Sequence, residues 1–232
     1  MTTKHAGFLG QYFYFFMSLL IAAIVVWGFS HTIDQNLIHA TPVRPWILYL
    51  HGAVFSGWVV FFIVQTSLVR MHKVRVHRTL GWFGVAWGVA IVVLGVSTAI
   101  SMTRFKMFTL HVPDAWHFLI VPLWDITCFT IAFTLAIYWR KKPELHRRLM
   151  LVATCVLTAA AFGRFPALFK TFYAGVDLLI FFGVVRDLIV MRRVHPVYLY
   201  ALAALVVGQS FVMDVVHTES PKWHSIANAI LR

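Results

Sequence analysis

The stretch GFLGQYFYFFMSLLIAAIVVWGFS, residues 7–30, runs for 24 residues without a charged side chain. A membrane-spanning helix needs about 20 predominantly apolar residues, so this stretch is long enough to cross a bilayer. A cleaved secretion signal has a shorter apolar core, of about 7–15 residues, and a small-residue cleavage site. The segment is therefore predicted to be retained as a membrane helix.

The rest of the 232-residue chain has the same character. Hydrophobic residues make up 60% and charged residues 12%, whereas soluble proteins average about 45–50% and about 25%. This composition excludes a soluble enzyme domain, a disordered tail, a coiled coil and a disulfide-stapled secreted module. Six more apolar stretches follow the first, near residues 46–69, 80–101, 115–139, 149–169, 171–191 and 198–217. The prediction is a single all-α domain, a polytopic bundle of seven transmembrane helices.

The net charge of +12 is unevenly distributed over the predicted connections. Twelve basic residues fall on the side of the N-terminus: Lys4, Arg70, Lys73, Arg75, Arg78, Arg140, Lys141, Lys142, Arg147, Arg148, Arg192 and Arg193. Six fall on the other side: Arg44, Arg104, Lys106, Lys170, Lys222 and Arg232. Because Lys and Arg concentrate in cytoplasmic loops, we expect the N-terminus inside and the C-terminus outside. The natural partners of these charges are membrane lipids, and no nucleic acid is predicted. Nothing in the sequence specifies an oligomeric state.

Three histidines recur beside basic residues just before a predicted span. The segments are RVHRTLG at 75–81, ELHRRLM at 144–150 and RVHPVYL at 193–199. One interpretation is that these residues are interfacial anchors whose charged ends reach the headgroups. The functional alternative is a cofactor or proton-relay site that uses His77 and His146.

Two of these segments, HRTLG at 77–81 and LHRRLM at 145–150, also carry a family resemblance. Together with Gln65 near the end of the second span, they resemble bacterial seven-helix membrane proteins of no settled activity. The resemblance covers most of the second to fifth spans, and it implies the fold and a bacterial inner-membrane location. A more distant similarity is to b-type membrane cytochromes, and it implies haem held between histidines on neighbouring helices.

Four of the eight acidic residues, Asp125, Asp177, Asp187 and Asp214, lie inside predicted spans. A charge there costs several kcal/mol unless it is paired or hydrated, at roughly 2.5–3.5 kcal/mol by insertion scales. The fifth and sixth predicted spans are separated by almost nothing, so we expect them to form a tight hairpin near Lys170. Arg164 and Asp177 are nearly equidistant from Lys170, so we expect them to meet as an ion pair. Arg186 and Asp187 are expected to pair in the same way.

Ionisable groups from several spans lie in the outer half of the predicted bundle. If their faces converge, His51, His117 and His217 supply three ligands for zinc or another divalent metal. Asp125 or Asp214 would take the proton of a metal-bound water, and Arg164 would bind an anionic headgroup or a developing oxyanion. The substrate would be a lipid or another small membrane-soluble molecule.

Two other functions remain open from the sequence. The first is a b-type haem electron-transfer protein with two histidines as axial ligands. The second is a proton-coupled transporter, or an assembly factor for a membrane complex, in which buried acids carry protons.

The third predicted span has glycines on one side, at Gly81, Gly84, Gly88 and Gly95. Small residues at this spacing let another helix backbone approach closely. We therefore expect this span to be central and tightly packed.

Overall fold

The computed structural model describes residues 2–232, and these form helices joined by short connections. The α-helices are α1 (Thr2–Ser30), α2 (Trp46–Arg70), α3 (Val74–Phe108), α4 (Ile120–Tyr138), α5 (Pro143–Val156), α6 (Ala159–Phe162), α7 (Phe172–Met191), α8 (Pro196–His217) and α9 (Pro221–Leu231). A π-helical turn at Asp34–Ile38 and a 3₁₀ turn at His117–Leu119 complete the secondary structure. The prediction of an all-α fold is confirmed.

Six segments of these residues are long and apolar enough to cross a membrane, which makes the chain a multi-pass membrane protein. They are Gly7–Ser30, Trp46–Arg70, Val74–Phe108, His117–Tyr138, Pro143–Phe162 and Pro196–His217. The remaining long helix, α7, has 20 residues and carries Asp177, Arg186 and Asp187. It is not one of the six.

The fifth predicted span, residues 149–169, does not form one continuous helix. The helix begins earlier, at Pro143, where a proline at the first helical position needs no hydrogen-bond partner. It ends at Val156, and in the turn that follows the backbone N–H and the hydroxyl of Thr158 both donate to the Cys155 carbonyl, at 2.9 and 2.6 Å. The short helix α6 follows, and turns then lead to α7, so the predicted tight hairpin at Lys170 is wrong.

The centre of the bundle is α5, not α3. From Arg148 to Val156 every α5 residue except Met150 is buried, and α5 packs against α4, α7, α8 and α1. On α3, by contrast, Trp82, Phe83 and Val89 are exposed. The prediction of a central third span is therefore wrong.

The glycines of α3 do pack tightly, but against side chains and not against another backbone. A Cβ on Gly84 would overlap the ring of Phe61 from α2, and a Cβ on Gly88 would overlap the ring of Phe133 from α4. The close approach of two backbones occurs elsewhere, where Gly28 of α1 meets the Ala161 carbonyl of α6.

The connections α2–α3, α4–α5 and α7–α8 meet at one end of the bundle, which we call the basic end. His77 in the first turn of α3 faces His146 in the first turn of α5. The backbone N–H of His195, just before α8, donates to Asp187 near the end of α7. At the opposite end, Ala227 and Leu231 of α9, a helix the sequence did not predict, pack against Trp116.

Candidate functional site

The histidines predicted as metal ligands lie in separate surroundings. The ring of His51 stacks on Phe55, with ring centres 3.9 Å apart, and the ring of His117 lies 3.6 Å from that of Trp116. His217 is exposed, and its Nδ1 contacts the Met213 carbonyl at 2.6 Å. Asp214 is also exposed. Among residues 2–232, no group of three His, Cys, Asp or Glu side chains could hold a metal ion.

The predicted ion pair between Arg164 and Asp177 does not form. Arg164 donates from Nε to the Thr32 hydroxyl at 3.0 Å and lies over the ring of Phe29. Asp177 instead accepts from Nε2 of Gln209 at 3.1 Å. The break after α5 explains this, because the turns after α6 carry Arg164 towards α1 and away from α7.

Asp125 has a neutral partner as well. Its carboxyl accepts a hydrogen bond from the hydroxyl of Tyr173 at 3.1 Å. Tyr173 and Asp177 are one turn apart on α7, so these residues and Gln209 form a polar network across α4, α7 and α8. This network links two of the predicted intramembrane acids, and no cation contributes to it among the contacts of the described residues.

At the basic end, the predicted contact between Arg186 and Asp187 is confirmed at 2.9 Å. Arg148 is the main partner of Asp187, because its Nε and Nη2 donate to the two carboxylate oxygens at 2.8 and 2.7 Å. Its Nη1 donates to Glu144 at 2.6 Å. The sequence analysis placed Arg148 in a loop. The i, i+4 spacing of Glu144 and Arg148 is the signal that could have placed both on one helix.

His195 borders this group of charges at the start of α8. Its Nδ1 accepts a hydrogen bond from the backbone N–H of Val197 at 3.3 Å, which makes it the N-cap of the helix. Burial lowers the pKa of His195 below its ordinary value, and the nearby Arg148 guanidinium lowers it further. His195 is therefore a neutral capping residue at pH 7.

His77 and His146, here called the inner histidine pair, are the two predicted cofactor ligands that the structure brings together. Their ring centres are 6.2 Å apart and their planes are inclined by 76°. Nδ1 of His146 contacts the carbonyl of Ala136, in the last turn of α4, at 2.9 Å. Nδ1 of His77 is buried without a hydrogen-bond partner. The pair thus presents two imidazoles to each other across a short gap.

Gln65 of α2 lies beside the inner histidine pair, since its backbone approaches the ring of His77. Both amide atoms of the Gln65 side chain are buried without a hydrogen-bond partner. Gly81, one turn after His77, does not pack tightly as the other glycines of α3 do, because a Cβ there would meet nothing within 4 Å. Buried polar atoms usually have a partner, so the unpaired amide of Gln65 could bond to a group bound at the pair.

No family model, curated protein or solved structure matches the chain.

Proposed function

We propose that the protein is a membrane electron carrier that holds b-type haem between His77 and His146. The 6.2 Å spacing of the two imidazole rings carries this proposal. A metal bound to two imidazole nitrogens, each at about 2 Å, places the ring centres about 6 Å apart. Haem needs only two protein ligands, so the lack of a three-ligand group among the described residues does not conflict with it.

The surroundings of the inner histidine pair fit an axial-ligand role. Ligating histidines usually donate their other ring N–H to a backbone carbonyl or carboxylate, which fixes the tautomer and the ring orientation. The Ala136 carbonyl provides this contact to Nδ1 of His146 and leaves Nε2 free. The open space beside Gly81 adjoins His77 on the same helix.

The chain would contribute positioning, charge compensation and exclusion of water. Bound haem supplies a reversible one-electron centre. Arg140, whose guanidinium lies 5.4 Å from the ring centre of Trp82 on α3, places a positive charge near the start of that helix. Together with Arg78, Arg140 would offset the negative charge of the carboxylate groups on haem.

We also propose that α7 crosses the membrane as a seventh span, with the N-terminus in the cytoplasm of a bacterium and the C-terminus outside. Two contacts support a crossing α7: Tyr173 in its first turn bonds to Asp125, and Asp187 in its last turns bonds to Arg148 at the basic end. These pairings offset the cost of its charges in the membrane. The concentration of Lys and Arg at the basic end supports the orientation.

A second candidate function is proton-coupled transport or a role in assembling a membrane complex. It is favoured by Asp125 and Asp177, whose side-chain partners, Tyr173 and Gln209, are neutral. A carboxyl with a neutral hydrogen-bond partner can carry a proton, whereas one paired with arginine serves as a fixed charge. A metal-assisted enzyme in the outer half has no comparable support among the described residues.

The absorbance spectrum of the purified protein tests the main proposal. We expect a Soret band in the wild type that is lost in His77→Ala and in His146→Ala. His72→Asn is the matched control, because His72 is exposed in the same connection and asparagine tolerates its backbone φ of 59°. His51→Ala should also retain the band.

Two results would count against haem. One is a wild type, purified from haem-supplemented cells, that has no Soret band. The other is a band that survives both inner substitutions but disappears in His51→Ala. If the wild type has no Soret band, loss of proton-coupled uptake in Asp125→Asn would favour the transport function.

A further inference from the structure

A second buried site lies at the basic end, on the other side of α5 from the inner histidine pair. It contains three guanidinium groups, on Arg147, Arg148 and Arg186, and two carboxylates, on Glu144 and Asp187. The side chains of Arg148, Arg186 and Asp187 are buried, whereas those of Arg147 and Glu144 reach the surface and are 32% and 51% exposed. We call these residues, together with Tyr14 and Tyr198, the buried arginine cluster. Its charged groups leave one positive charge without a counter-charge. Burying an uncompensated charge in a membrane protein is costly, so an anion would be stabilised here.

A methionine sulfur occupies the place of a strong acceptor in this cluster. Sδ of Met191 lies 3.0 Å from Nη2 of Arg148 and 3.8 Å from Nη1 of Arg186. A thioether sulfur is only a weak hydrogen-bond acceptor. Because the methionine side chain is flexible and can adopt several rotamers, an anionic oxygen could displace it from the two guanidinium groups.

Two donors in the cluster lack an acceptor. The hydroxyls of Tyr14 and Tyr198 are close enough to bond to each other, which leaves one hydroxyl hydrogen free, and Nε of Arg186 is buried without a hydrogen-bond partner. Tyr198 is 0% exposed and Arg186 is 3% exposed. Buried donors are normally satisfied, so these two donors would be satisfied by an acceptor-rich group bound there.

The donors lie close together. The guanidinium groups of Arg147 and Arg186 are 5.4 and 5.7 Å from the ring centre of Tyr14. The guanidinium of Arg148 lies 5.8 Å from the ring centre of Tyr198. Gly183 of α7 permits this arrangement, because a Cβ there would overlap the Tyr198 ring and its hydroxyl.

We propose that the buried arginine cluster binds a phosphate group, with oxygens contacting Arg148, Arg186 and the hydroxyls of Tyr14 and Tyr198. A phosphodiester carries one negative charge and so matches the single excess positive charge of the cluster. Arginine binds such oxygens with strong, charge-assisted hydrogen bonds. The phosphate can come from an anionic lipid headgroup or from solution, because both present the same kind of negatively charged oxygen to the cluster.

Native mass spectrometry of the full-length protein in detergent distinguishes the two sources. The protein is titrated separately with phosphatidylglycerol, with phosphatidylcholine and with inorganic phosphate. The test variant is Tyr14→Phe/Tyr198→Phe, which removes both hydroxyls but keeps the rings over the guanidinium groups. The control is Tyr200→Phe, because Tyr200 is on the same helix and is 76% exposed.

We expect phosphatidylglycerol to bind more tightly than phosphatidylcholine, and the double variant to weaken that binding by at least about tenfold. Tyr200→Phe should bind like the wild type. If inorganic phosphate alone shows this dependence on the tyrosines, the site is still an anion site and its ligand is soluble phosphate. If neither phosphatidylglycerol nor inorganic phosphate distinguishes the double variant from the wild type, the proposal is overturned. Because this readout needs no haem, it is independent of the electron-carrier proposal.

Discussion

Asp187 pairs with two arginine side chains at the basic end. It is fully buried and accepts hydrogen bonds from Arg148, Arg186 and the backbone N–H of His195. A buried salt bridge is weak evidence for net stabilisation, since desolvation offsets much of the attraction. Removing one partner is different, because it leaves a buried charge without compensation.

We therefore expect Asp187→Ala to destabilise the protein by about 3–5 kcal/mol. The measurement is thermal unfolding of the detergent-solubilised protein, followed by tryptophan fluorescence. The control is Glu144→Gln, because the Glu144 side chain is about half exposed and such a pair contributes about 1 kcal/mol or less. Equal losses in the two variants would show that Asp187 does not hold the cluster together. The double variant Arg148→Met/Asp187→Leu should recover only part of the loss, because it removes the Arg148–Asp187 pair but leaves Arg186 buried without its carboxylate partner.

At the level of helix packing, α3 contacts its neighbours through aromatic rings that lie against its glycines. The Phe133 ring, which fits against Gly88, stacks on Phe129 with ring centres 5.3 Å apart and meets Trp58 edge-on at 5.7 Å. These neighbours leave Phe133 little freedom to move. A methyl group at Gly88 therefore has to displace a packed aromatic cluster.

We expect Gly88→Ala to destabilise the protein by about 1–3 kcal/mol, the usual range for overpacking. Gly52→Ala is the matched control, since a Cβ there meets nothing within 4 Å and alanine favours helix by up to about 1 kcal/mol. The same unfolding assay compares them. A Gly88→Ala variant as stable as Gly52→Ala would mean that α3 and α4 separate easily. Gly88→Ala/Phe133→Leu should restore part of the loss.

The sequence predicted the helices well because long apolar runs determine them directly. It failed at α5 and α6, where a helix ends at Val156 inside an apolar run that has no proline, glycine or charged residue at that point to mark the end. It also failed to predict partners across the bundle. The depth of Arg164 and Asp177 could be estimated from their positions in the chain, but the direction each side chain faces depends on that helix break. His77 and His146 were predictable as candidates because each precedes a span, but their approach to 6.2 Å follows from the packing of both α3 and α5 on α4.

For the whole molecule, the basic end brings together the charge bias, the inner histidine pair and the buried arginine cluster. The chain has few charged residues, 12%, and most of the basic ones lie at or near this end. The two sites lie on different sides of α5, since His146 faces α4 while Arg148 faces α7. The proposed haem site and the proposed phosphate site would therefore lie at the same face of the membrane.

Alkaline phosphatase fusions test that orientation together with the crossing of α7. The enzyme needs disulfides that form outside the bacterial cytoplasm, so it is active only on the outer side. We expect a fusion after Arg232 to be active and a fusion after Lys142, at the basic end, to be inactive. If α7 crosses the membrane, the fusion points after Lys142 and Arg232 lie on opposite sides of it. If α7 lies outside the membrane, they lie on the same side. Equal activity of the two fusions would therefore exclude α7 as a span, and activity after Lys142 alone would reverse the orientation.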